Sequence, residues 1–200
     1  MNGSRTLDVA HLPDIGFGDR SPLRWGMLAM IAIEGAGFAL LAATYLYLRS
    51  RVPHWPPGVP PPSLLYGTLN LGMILLSAVP NEITKRASRR MDSAIAVSGL
   101  AICIVWALVL CAIRFLEFGA LNVNYDTNAY GSIVWFLLGY HTTHLITDVA
   151  DSMVLLWFAL RGPLDGHRMV DITENAVYWY FVILAWIPVY LLIYVAPRIV

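Results

Sequence analysis

Apolar residues fall into five long stretches, each closed by a legible break. The stretches are Trp25–Leu48, Ser63–Val79, Ala94–Phe118, Tyr130–Leu160 and Ala176–Ala196. About 20 residues of helix cross a bilayer core, so all five read as spans. The second is the shortest and crosses nearly upright; the fourth is the longest and must tilt or project beyond the lipid. The breaks differ in chemistry. VPHWPPGVPPPS cannot be helical, because proline removes backbone donors and restricts the residue before it. KRASRRMD reads as a charged turn, FGALNVNYDTNAYG as a Gly/Asn/Asp loop and RGPLDGHRMVDITEN as a polar turn. The pattern predicts an all-α polytopic membrane protein. A polar segment, residues 1–24, precedes a five-helix membrane domain, residues 25–200.

Composition agrees. The 200-residue chain is 58% hydrophobic and only 13% charged, against about 25% charged in soluble domains. Zero net charge gives no support for a nucleic-acid partner. Residues 1–24 lack the apolar run of a signal peptide, so the first span is expected to remain in place. Basic residues set the orientation. With the N-terminus cytoplasmic, Arg5, Arg20, Arg24, Lys85, Arg86, Arg89, Arg90, Arg161 and Arg168 fall inside, while Arg49, Arg51 and Arg198 fall outside. The C-terminus is then periplasmic. Cys103 and Cys111 lie about 12 Å apart along one helix, too far for a disulfide there, and read as small apolar residues.

Ionisable residues at membrane depth carry the candidate chemistry, since each costs about 2.5–3.5 kcal/mol to insert at a helix centre. Glu34 stands mid-span beside Gly35, Ala36 and Gly37. It is either a hydrogen-bonded carboxyl at a helix contact or a proton-exchanging group, touching lipid or protein. Arg114 and Glu117, at i and i+3, suit a structural ion pair with the arginine reaching toward the interface. Asn70 suits a helix–helix hydrogen bond, and Glu174 is a second polar helix-contact residue. His141, His144, Asp148 and Asp151 are spaced by three, four and three, which puts them on one helical face. That stripe is about 15 Å long, so its four members cannot share one ion. The leading reading is a hydrogen-bonded polar seam, internal or against another subunit, with no metal. In the polar turn, His167, Asp165 and Asp171 read as solvated groups that could also collect protons.

Five motifs in order, one per span, give a resemblance. RWGMLAMIAIEGAGFALLAATYLYLR carries a mid-helix glutamate and a Tyr-rich exit. WPPGVPPPSLLYGTLNLGMILLSA carries a Trp-Pro-Pro-x-Gly loop, then an asparagine and Leu-Leu-Ser. Glu117-Phe118 follows, then YGSIVWFLLGYHTTHL with Gly-x-His-x-x-His, and finally ENAVYWYFVILAWIPVYLLIY. From Trp25 onward the chain resembles subunit III of the haem-copper oxidases (cytochrome c oxidase and quinol oxidase) in its short five-helix bacterial form. Departures are Leu71, where the family has threonine, and Tyr180 and Ile183, where it has His and Asp. Asp148 and Asp151 stand where it has small or apolar residues. An acid lost from the last helix and two gained on the fourth suggest a rewired interior coupling Asp148 to Tyr180.

The resemblance implies a non-catalytic subunit of a terminal oxidase in aerobic electron transport, in the bacterial inner membrane. Such a subunit packs against subunit I, with subunit II nearby, binds phospholipid, stabilises the catalytic subunit and supports proton uptake. Haem and copper belong to the partner subunits, and this chain binds neither. The residues agree: a haem-copper centre needs three copper-binding histidines plus axial haem ligands, and only His141 and His144 lie within spans. Catalytic residues are expected to be none. The competing classes are a subunit III-like accessory protein of a nitric oxide reductase and a small membrane transporter or ion-conducting protein.

Overall fold

The computed structural model describes residues 21–162 and 166–199. Most of the polar segment 1–24 and Asp165 therefore lie outside the described residues. The described elements are helical: α1 (Pro22–Ser50), α2 (Leu64–Leu76), α3 (Ala78–Arg89), α4 (Ser93–Gly119), α5 (Ala129–Arg161), α6 (Gly166–Tyr190), a π turn (Leu191–Val195) and α7 (Ala196–Ile199). Five helical stretches are long and apolar enough to cross a membrane, with α2–α3 forming one and α6–α7 another.

Local chemistry explains the ends. Pro22 starts α1 at a position where its missing N–H costs nothing. The Asp92 carboxylate caps α4 by accepting from Ile95 N at 3.2 Å, and Asn128 caps α5 by accepting from Gly131 N at 2.8 Å. The charged stretch 85–92 is mostly helix. Only Arg90, Met91 and Asp92 turn, through paired bonds from Met91 N to Ser88 O and from Asp92 N to Ala87 O. Met91 takes the left-handed conformation (φ 59°) that this helix stop requires.

The second span bends at Ser77. Pro80 donates no N–H to Leu76, one turn earlier, so the helix breaks there. The last span begins ten residues before its apolar run. Met169 and Ile172 pack with Ala87, Ala96, Leu100 and Ile104 in a small second core at this end of the bundle. Apolar residues at helical spacing hold residues 166–175 in a helix despite their polar composition.

α6 lies at the centre, packed on α1, α2, α3 and α5. Half of its most apolar stretch is buried inside the chain, against 6% for α1. α1 contributes only Phe38 and Tyr45 as buried residues, while Ile33 and Leu40 project outward.

Candidate functional site

Among the described residues, the candidate site residues His141, His144 and Asp148 each lie in a separate polar group between helices. The first joins α2, α4, α5 and the last span. Arg114 and Glu117 form an ion pair at 2.8 Å, and each is only 1% exposed. Asn70 Nδ2 donates to Glu117 Oε2 at 3.1 Å, and the Tyr194 hydroxyl donates to Oε1 at 2.5 Å. The π turn after Pro188 presents Tyr194 here. The Arg114 guanidinium also lies 3.8 Å from the Trp186 ring centroid. It does not reach toward the interface: two acceptors and an aromatic face hold it inside.

His141 belongs to the same group. Its Nε2 lies 3.0 Å from Val182 O, and its Nδ1 lies 3.2 Å from Arg114 Nη2. A carbonyl only accepts, so Nε2 carries the proton and Nδ1 accepts from the arginine.

The second group joins α1, α5 and α6. The Tyr178 hydroxyl donates to Glu34 Oε2 at 2.8 Å. His144 Nδ1 lies 2.6 Å from Tyr140 O, so Nδ1 is the donor nitrogen. His144 Nε2 faces Glu34 Oε2 at 3.6 Å. That separation is longer than a hydrogen bond, so the two groups face each other without sharing one. Glu34 is half-buried, and Phe38 packs tilted on His144 at 5.1 Å. Gly37 meets the Tyr140 hydroxyl where a Cβ would stand, so glycine lets α1 and α5 close on this group.

The third group lies one turn beyond His144. Asp148 is 5% exposed, and its Oδ1 has no hydrogen-bond partner among the described residues. Asp151 is exposed on this chain, so any protein it faces belongs to another subunit, whereas His141, His144 and Asp148 face the chain's own interior. At about 100° per residue, Asp151 lies farthest round from His141. Ser152 continues the buried line instead and accepts from Asn175 Nδ2 at 2.8 Å. Nor does Tyr180 approach Asp148: its hydroxyl donates to Glu82 Oε2 at 2.6 Å, and Ile183 is buried in the main core. Asn175, Ala176 and Trp179 line the space around Asp148 from α6, and Tyr180 does not.

Glu174 is buried, with Oε1 4.0 Å from Arg24 Nη1. The structure thus brings Glu34 to His144 and Arg114, Glu117 and Asn70 to His141, but separates the stripe into different environments. Tyr178, Tyr194 and Trp186 are site residues that sequence spacing did not single out. The Pro188 break within an apolar helix was the available signal for Tyr194. Among the described residues, no cluster of three His, Cys, Asp or Glu side chains is arranged to hold a metal ion.

The sequence model of the family described as cytochrome c oxidase subunit III matches residues 20–197. The chain is 27% identical over 200 residues to cytochrome c oxidase subunit 3 of Synechocystis sp., covering 97% of this chain and 83% of that protein. It is 25% identical over 195 residues to the subunit 3 of Artemia franciscana, covering 94% and 73%. With that of Struthio camelus it shares 24% over 198 residues, covering 94% and 74%.

Proposed function

The chain belongs to the cytochrome c oxidase subunit III family and is a non-catalytic subunit of a terminal oxidase, and from this premise we propose how it serves the complex. It packs against subunit I, with subunit II nearby, steadies the catalytic subunit and supports its proton uptake. Haem and copper reside in those partners, and phospholipid fills the remaining apolar faces. The membrane is the bacterial inner membrane. The N-terminus is cytoplasmic, because the start of α1, the α3–α4 turn and the α5–α6 turn carry most of the basic residues at one end. Neither the nitric oxide reductase nor the transporter alternative gains support from the relatives.

The observation that carries the proton role is the Glu34–His144 pair. His144 Nδ1 is committed to Tyr140 O, so Nε2 is the atom that exchanges a proton with the Glu34 carboxyl. Tyr178 fixes that carboxyl by donating to it, and its partial exposure gives contact with lipid or a partner subunit. Arg114, Glu117, Asn70 and His141 act structurally, locking the helices that present the pair. Glu174 is a polar helix contact.

Glu34→Gln tests the role. The variant is expected to assemble into the complex and to show slowed proton uptake or faster inactivation during turnover. Unchanged turnover, stability and inactivation rate in the purified variant complex would remove Glu34 from the account.

A further inference from the structure

Helices α3, α4, α5 and α6 enclose a small cavity of about 10 Å³, near the 10–15 Å³ that one water requires. Its polar lining comes from Asn81, Thr84, Cys103, Asp148, Ser152 and Asn175. The Asp148 carboxyl is buried here with Oδ1 unpartnered among the described residues. Three of the neighbouring donors are engaged elsewhere. Asn81 Nδ2 donates to Ala176 O at 2.9 Å, Thr84 Oγ1 to Pro80 O at 2.8 Å and Asn175 Nδ2 to Ser152 Oγ at 2.8 Å.

No lining residue is Lys, Arg or His. The ionisable groups that act on Asp148 or feel it are Asp151 on its own helix, Cys103 on α4 and Tyr178 on α6. From α3 the cavity receives only the uncharged Asn81 and Thr84. A bare carboxylate in this setting lacks both a counter-charge and a full set of donors, at a cost of several kcal/mol. The compensating positive charge has to come from what enters the cavity, and the space admits one particle the size of water.

We propose that this cavity is an internal proton site, in which Asp148 holds an exchangeable proton hydrogen-bonded to one trapped water. The water accepts from the carboxyl and donates to acceptor oxygens of the lining. On exchange, the carboxyl O–H bond breaks as an O–H bond forms on the water, and one of the water's own O–H bonds breaks as its proton passes to the carboxyl group, so that acid and water are both regenerated and each electron pair stays on its oxygen. The site is distinct from the Glu34–His144 pair and does not rest on the function assigned to that pair. Asp148 supplies what the sequence left unexplained: a carboxyl kept dry except for one solvent molecule.

Infrared difference spectra of the purified complex in ordinary and heavy water test this, using wild type and Asp148→Asn. Wild type is expected to show a protonated-carboxyl C=O stretch that shifts in heavy water, and the variant is expected to lose it. Superimposable spectra of the two proteins would overturn the proposal. A wild-type band that resists heavy water would overturn exchange. A spectrum that changes when potassium replaces sodium would assign the cavity to a metal cation instead. If Asp148→Asn does not assemble, a high-resolution density map of the wild-type complex decides. One ordered water against Asp148 supports the site, and an empty cavity overturns it.

Discussion

Replacing Glu117 by glutamine tests the buried network at its centre. The shape is kept. The amide oxygen still accepts from Arg114 and Asn70, and the Tyr194 hydroxyl can rotate to accept from the amide nitrogen. Only the negative charge is lost. Arg114, 1% exposed, is then a buried cation without a counter-ion. Removing one member of a buried pair costs about 3–5 kcal/mol, a shift of roughly 150- to 4,000-fold in the unfolding equilibrium. The Trp186 face, 3.8 Å from the guanidinium, returns about 0.5–2 kcal/mol and cannot replace the carboxylate. Denaturant unfolding in detergent, followed by tryptophan fluorescence, measures the change. The double variant Arg114→Met with Glu117→Gln removes the stranded charge and is expected to be more stable than Glu117→Gln alone. A single-variant cost under about 1 kcal/mol would refute the reasoning, as would a double variant showing the full sum of the two single costs.

Gly67→Ala places a methyl group against the Tyr194 ring. It is expected to push that hydroxyl off Glu117 and to cost about 1–3 kcal/mol, read by the same unfolding assay. Asp92→Ala removes the side-chain cap of α4 and is expected to cost about 1 kcal/mol. The check is the melting midpoint in detergent, compared with a control change at the exposed Asp151.

The spans were legible because each holds a long apolar run, and the ends at Ser50, Gly119 and Arg161 fall near proline, glycine or asparagine. The start of α6 was hidden. Its first ten residues are polar in composition, and only the second core, where Met169 and Ile172 meet Leu100 and Ile104, shows why they are helical. The stretch from Lys85 to Asp92 looked like a turn because charge dominates it; three residues suffice when Met91 goes left-handed. Spacing placed Arg114 beside Glu117, since three residues of helix fix that distance. It could not show Asn70, His141, Trp186 and Tyr194 converging from three other helices. The stripe from His141 to Asp151 was one face only to first order. At about 100° per residue Asp151 stands about 80° from His141 and Ser152 only about 20°, so Ser152 stays with the interior line.

Membership in an oxidase complex is open to a single measurement, purification of the tagged chain in mild detergent. The chain is expected to emerge with a haem-bearing subunit, visible in the optical spectrum, and with oxygen-reducing activity. A colourless chain that emerges alone, with no haem absorbance and no oxygen consumption under conditions that preserve membrane complexes, would contradict it.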